Sequence, residues 1–149
     1  MIEVNNLTTS LIEEDFLKKI CQEVLKGEKK EDRDLSIALV GQGRMRNANK
    51  KYRGKNRITD VLAFPESRAL FEKFKVGPVQ KTQQLGEILI CYREVKKNAK
   101  RHNTTSTKEL ARILIHGVLH LLGYDHEKDE AEAEEMRKKE EFYLNYGKN

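Results

Sequence analysis

Leu110-Ala111-Arg112-Ile113-Leu114-Ile115-His116-Gly117-Val118-Leu119-His120-Leu121-Leu122-Gly123-Tyr124-Asp125-His126 is the most apolar stretch of the chain, and it holds three of the four histidines. Read at the helical period, its apolar residues wrap most of the circumference, which marks a helix buried at the centre of a domain. Ser106 followed by Glu109 forms a capping box that opens this helix. His116 and His120 then lie one turn apart on one face, about 6 Å along the axis. Gly123 stands where a helix ends in the left-handed conformation and the chain turns back, so His126 can return toward the other two.

Offsets of 0, +4 and +10 are the spacing of a three-histidine metal site. Three neutral nitrogen ligands leave a tetrahedral ion such as zinc one open corner, the arrangement of a catalytic centre. Water in that corner has its pKa lowered from about 15.7 toward about 7. With no carboxylate ligand the ion keeps its full charge, which favours substrates bearing phosphate or carboxylate oxygens. Imidazole also suits nickel, copper and iron, so the residues alone do not choose the metal. His102 has no partner at ligand spacing and reads as a solvated residue of a basic helix.

Zinc proteases share these offsets, but they place a glutamate general base beside the first histidine. That position is Gly117 here, so the protease reading loses its mechanism. A metal hydrolase of small molecules is a weaker reading, because it leaves the basic surface without a purpose.

The chain has 149 residues and a net charge of +5, a length that fits one domain. From Gly41 to Arg57 there are seven basic residues and no acid: Arg44, Arg46, Lys50, Lys51, Arg53, Lys55 and Arg57. Arg93, Lys96, Lys97, Lys100 and Arg101 form a second basic group. Ion-pair decoration needs both signs close together, so the acid-free run points to a polyanionic partner and salt-sensitive binding. Glu127 to Glu141, with eight acids and four bases, reads as a solvated helix that adds solubility. Cys21 and Cys91 are isolated in apolar surroundings and predict two buried thiols in a reducing compartment. No leader pattern and no apolar run near about 18 residues is seen, so a soluble cytoplasmic protein is expected.

The remaining elements follow in order. Ser10 with Glu13 suggests a capping box before an amphipathic helix on Ile12, Phe16, Ile20 and Val24, ending at Gly27. Leu35 to Val40 predicts a strand, and Arg44 to Lys51 a short basic helix with Met45, Ala48 and Tyr52 as its apolar side. Ile58 to Phe64 predicts a second strand, stopped by Pro65. Glu66 to Gln84 reads as a loop or partly helical excursion. Leu85 to Tyr92 predicts a third strand, Arg93 to His102 a basic helix, and Asp129 to Tyr143 a final helix packed through Met136, Phe142 and Leu144. The fold class is α+β: one domain, a small mixed β-sheet packed with helices, and a central apolar helix carrying the ligands.

Four blocks in order carry a more specific signal: Asn49-Lys50-Lys51-Tyr52-Arg53-Gly54-Lys55, Thr59-Asp60-Val61-Leu62-Ala63-Phe64-Pro65, Leu85-Gly86-Glu87-Ile88-Leu89-Ile90-Cys91, and His116 to His126 with Met136 ten residues on. With them the chain resembles the YbeY family of bacterial rRNA maturation endoribonucleases over most of its length. The resemblance implies a single domain spanning residues 1–149 and zinc on His116, His120 and His126. It also implies single-strand-specific RNA cleavage in ribosomal RNA 3′-end maturation and ribosome quality control, with the small ribosomal subunit as partner. Arg53 matches the family's functionally important arginine, and Arg53 and His116 are the residues expected to carry catalysis. A guanidinium beside the metal can hold a phosphate oxygen bidentately and stabilise charge building on phosphorus. Ala63 stands where the family commonly has serine, and Glu87 where it has aspartate; neither touches the ligands. The alternative from another class is a non-catalytic, zinc-containing ribosome assembly factor that binds RNA, for which the basic surface alone suffices.

Overall fold

The computed structural model describes residues 1–65 and 84–145. Its elements run β1 (Ile2–Asn6), α1 (Glu14–Gly27), β2 (Asp34–Leu39), α2 (Gln42–Arg53), β3 (Val61–Pro65), β4 (Gln84–Ile90), α3 (Tyr92–Arg101), α4 (Ser106–Leu121) and α5 (Glu130–Asn145). The four strands form one mixed sheet in the order β1-β2-β4-β3. β1 and β4 pair parallel to β2, whereas β3 pairs antiparallel to β4. A parallel pair needs a crossover of a dozen or more residues, and α1 supplies it between β1 and β2. The fold is the single α+β domain expected. The excursion expected from Glu66 lies outside the described residues, apart from Gln84, which opens β4. No helix among the described residues is long and apolar enough to cross a membrane.

Alternation along the strands gives the sheet two apolar faces. Leu35, Ile37, Leu39, Ala63, Ile88 and Ile90 join the main core with residues of α1, α3, α4 and α5. Ala38, Leu62 and Leu89 face the other way and pack with Met45 and Ala48 of α2 and with Val40 and Cys91, which follow β2 and β4. α4 lies at the centre, against α1, α3, α5, β3 and β4. Leu114, Ile115 and Leu119 of α4 are at most 2% exposed, and each such burial contributes about 1.5–3 kcal/mol. Gly117 lets α4 approach the sheet: a Cβ there would sit 3.2 Å from Ile88 Cδ1. The position where a protease would keep its general base is thus a helix–sheet contact.

Several expectations need correction. β1 is an additional strand. It is an edge strand that buries only Val4, and two apolar residues in five are too few to mark a pattern. Ser10 does not cap α1, which starts four residues later with Glu13 at the N-cap and no side-chain cap bond. Ser10 instead belongs to a turn in which its N–H bonds Thr8 Oγ1 at 3.2 Å and its carbonyl accepts from Asn6 Nδ2 at 2.8 Å. α4 is capped by Thr105, whose hydroxyl accepts from the Lys108 N–H at 3.1 Å. Glu109 is drawn inward to 1% exposure, where it pairs with Arg112 at 2.5 Å and with His102 Nδ1 at 3.2 Å. Burial opposes its ionisation, but Arg112 and His102 hold the carboxyl below its ordinary value. His102 is therefore a tie between the end of α3 and α4, half-exposed rather than free in solvent. On α5 the buried aromatic is Tyr143; Phe142 is 57% exposed, its ring edge-on to Tyr143 at 5.1 Å. Cys21 and Cys91 are buried free thiols, as expected.

Gly86 tests the sheet's geometry. It pairs with Pro65 across β3 and β4, and a Cβ there would stand 2.3 Å from the Phe64 carbonyl oxygen and 2.9 Å from Leu121 Cδ2. Backbone cannot yield as a side chain does. Gly86→Ala is expected to destabilise the domain by about 1–3 kcal/mol, read as a Tm fall of roughly 3–10 °C in thermal melts. An unchanged Tm contradicts this close approach.

Candidate active site

On α4 the residues that escape full burial include Arg112, His116 and His120, spaced four apart along one stripe. His116 and His120 reach one wall of a cleft of about 280 Å³. Arg53 at the end of α2, Lys55 and Arg57 in the loop after it, Asp60 before β3, and His126 line the same cleft. The four site residues expected from sequence are thus brought to one cavity, with three basic side chains from the acid-free run on its wall.

The end of α4 explains how His126 returns. The Gly123 N–H bonds the His120 carbonyl and the Tyr124 N–H bonds the Leu119 carbonyl, each at 3.1 Å. This paired closure requires a left-handed residue, and Gly123 has φ +106. The His126 ring then stands 5.1 Å from that of His116, tilted by 60°, while its Nε2 lies 3.8 Å from Glu127 Oε1. As they stand, no three His, Cys, Asp or Glu side chains among the described residues form a group that grips an ion.

The outer nitrogens of the two helical histidines are both engaged. His120 Nδ1 lies 3.2 Å from the Tyr124 carbonyl oxygen, and His116 Nδ1 contacts a Glu140 carboxylate oxygen. A carbonyl only accepts, so His120 carries its proton on Nδ1 and keeps a lone pair on Nε2. Burial lowers the pKa of His120, the Tyr124 carbonyl partly offsets this, and nearby Arg53 lowers it further. His120 is therefore neutral at neutral pH, the form a ligand needs. Metal-binding histidines almost always have the other nitrogen engaged in this way, and His116 and His120 meet that requirement. Arg53 Nη2 donates to the Ala63 carbonyl at 3.4 Å, a long contact that leaves most of the guanidinium available.

Behind the turn, Glu28 ties three elements together. Tyr124 donates to it at 2.5 Å, Lys139 at 3.2 Å, and Tyr143 also donates. Burial pushes Glu28 up, yet these bonds win and hold it below its ordinary value of 4.5; Tyr124, desolvated and bonded to Glu28, is pushed up to about 12. Glu28, Tyr124 and Glu140 escape sequence reading. Glu28 meets its tyrosines across 96 and 115 residues and carries no local signal. α5 is consequently more than a solubilising face, since Lys139 and Glu140 both reach inward.

The fold is a small α+β domain, and its cleft brings three histidines together with Arg53, Lys55 and Arg57, beside Asp60 and Glu127. Comparison with known proteins identifies the family. The profile of the family described as endoribonuclease YbeY matches residues 3–147. An endoribonuclease YbeY of Thermodesulfovibrio yellowstonii is 46% identical over 110 residues, covering 74% of this chain and 64% of that protein. One from a Sulfurihydrogenibium species is 37% identical over 125 residues, covering 84% and 77%. The solution structure of TM1509 from Thermotoga maritima superposes with a TM-score of 0.64 at 31% identity, covering 97% of this chain and 87% of that one. The chain belongs to the endoribonuclease YbeY family.

Glu28 makes acid stability a test of the architecture behind the site. A carboxyl whose folded pKa is depressed contributes stability that is complete above its unfolded value and is lost as pH falls through the folded one. Glu28→Gln is expected to cost about 1–3 kcal/mol at pH 7, with Tm curves of the two proteins converging below about pH 4.5. Curves that stay parallel down to pH 3 contradict the assignment.

Proposed function

We propose that the chain is a zinc-dependent, single-strand-specific endoribonuclease, that residues 1–149 form one such domain, and that it acts in ribosomal RNA 3′-end maturation and ribosome quality control on the small subunit in the cytoplasm. The observation that carries this reading is the meeting of Arg53, His116, His120 and His126 in one cleft whose wall also holds Lys55 and Arg57. Membership of the family supports the reaction class. His116, His120 and His126 are the residues that would hold the ion. When bound, the ion polarises a phosphoryl oxygen and makes water nucleophilic at neutral pH.

The remaining chemistry falls to the chain's own groups. Arg53 offers two parallel N–H donors to the non-bridging oxygens of the scissile phosphate and stabilises charge developing there. Lys55 and Arg57 take neighbouring phosphates and set the register of the strand. Tyr52, beside Arg53, is 62% exposed and packs against Phe64 with ring centroids 5.1 Å apart. Lys51 Nζ stands 5.4 Å from the Tyr52 ring centroid, and an aromatic with cations beside it suits unpaired bases, which stack on such side chains. Water and the ribose 2′-hydroxyl are both eligible nucleophiles, and a cyclic phosphate on the product's 3′ end identifies the second.

The test is cleavage of an end-labelled RNA with single-stranded and duplex parts by the parent, His120→Ala and Arg53→Ala proteins prepared identically. The parent is expected to cut within single-stranded parts and to stop on chelation. His120→Ala is expected to be inactive, and Arg53→Ala slower by about 10²–10³-fold with its fold intact. Equal cutting by parent and His120→Ala, or RNA binding with no cutting by either, contradicts the reading and points to a zinc-containing RNA-binding assembly factor.

A further inference from the structure

α5 is charged along most of its length, and among its described residues Met136 and Tyr143 are the buried ones. Glu140 lies four residues after Met136 and three before Tyr143, so all three share the face turned to the domain. Placing a carboxylate there is unfavourable unless it meets a donor. The Glu140 side chain is 17% exposed and contacts His116 Nδ1. Arg112, one turn before His116 on α4, is a competing cation, but it is held by Glu109 at 2.5 Å.

A carboxylate oxygen accepts the hydrogen bond, so in neutral His116 the proton belongs on Nδ1 and Nε2 keeps the lone pair. His120 reaches the same tautomer by a different route, through the Tyr124 carbonyl at 3.2 Å. The two acceptors come from unrelated elements, one from α5 and one from the turn that ends α4, yet both leave the same nitrogen available. They differ in charge. A carbonyl orients its histidine, whereas a carboxylate also makes its histidine a stronger donor to a cation.

We propose that Glu140 is a positioning residue for His116: it fixes the Nε2-donor tautomer and tightens the hold of the three-histidine site on its ion. This rests on the metal reading given above. It also assigns a role to α5, whose acidic composition otherwise suggests only solvation.

The experiment uses the full chain as parent, Glu140→Gln and Glu140→Ala. Imidazole 15N NMR of the metal-free proteins reads the His116 tautomer, and competition with a chromogenic chelator reads zinc affinity. Far-UV circular dichroism and Tm report the fold. In the parent, His116 is expected to be protonated on Nδ1. Glu140→Ala is expected to show mixed tautomers and a zinc Kd raised about 10–100-fold. Glu140→Gln keeps an acceptor oxygen without the charge, so it is expected to retain the tautomer and fall between the two in affinity. A folded Glu140→Ala protein with an unchanged tautomer and a Kd within about threefold of the parent overturns the proposal. If Glu140→Ala does not fold, Glu140→Gln decides, and an affinity equal to the parent's overturns it. A parent that takes up no zinc, while its His116 tautomer still depends on Glu140, overturns the metal reading instead.

Discussion

The structure depends on the burial of one helix. α4 packs against three helices and two strands, and its apolar side chains leave little of its surface uncovered. Such a helix has almost no freedom to translate or rotate, because any shift opens voids in a close-packed interior. Past its exposed first turn, what is left of its surface is Ala111 and a stripe carrying Arg112, His116 and His120. The rigidity that apolar packing demands is therefore inherited by the two imidazoles. Gly117, between them in sequence, packs closely on the sheet, with Ile88 filling the space beside it. A Cβ there would press on Ile88 Cδ1 at 3.2 Å, so that side chain or the helix must give by a few tenths of an ångström.

Burial alone places rings without orienting them. Orientation comes from polar groups at the rim of the core, where desolvation makes each hydrogen bond count. The closure of α4 at Gly123 sets the Tyr124 carbonyl beside His120, and the Tyr124 hydroxyl reaches Glu28 at the end of α1. Glu28 also accepts from Lys139 and Tyr143 of α5, the helix that brings Glu140 to His116. The site is thus linked to α1 and α5 through a few partly buried groups, while the acid-free run after β2 supplies Arg53, Lys55 and Arg57 to the same cleft.

Much of this was legible in the sequence, and the failures have physical causes. The central helix, its glycine stop, the basic helix and three strands follow from local periodicity and turn chemistry, which nearby residues determine. β1 was not legible because an edge strand buries one side chain, Val4, and borrows its pairing from β2. Ser10 and Ser106 each matched a capping pattern, yet Glu13 and Thr105 occupy the caps. A box spacing marks a helix start only to within a few residues, and Glu109 found a better partner in Arg112. The histidines and Arg53 were legible because ligand spacing and an acid-free run are one-dimensional signals. Glu28, Glu140 and the Tyr124 carbonyl were not, because their roles arise from packing that joins distant segments; on α5 the Met136, Glu140, Tyr143 stripe is the trace that a helical reading could have caught.

The most direct test of the central claim is anomalous diffraction at the zinc edge from crystals of the protein grown with zinc. The account predicts one strong peak per chain in the cleft beside Arg53, about 2.0–2.1 Å from one nitrogen of each of His116, His120 and His126. A cleft without a peak, or an ion held there without those three histidines, would contradict it.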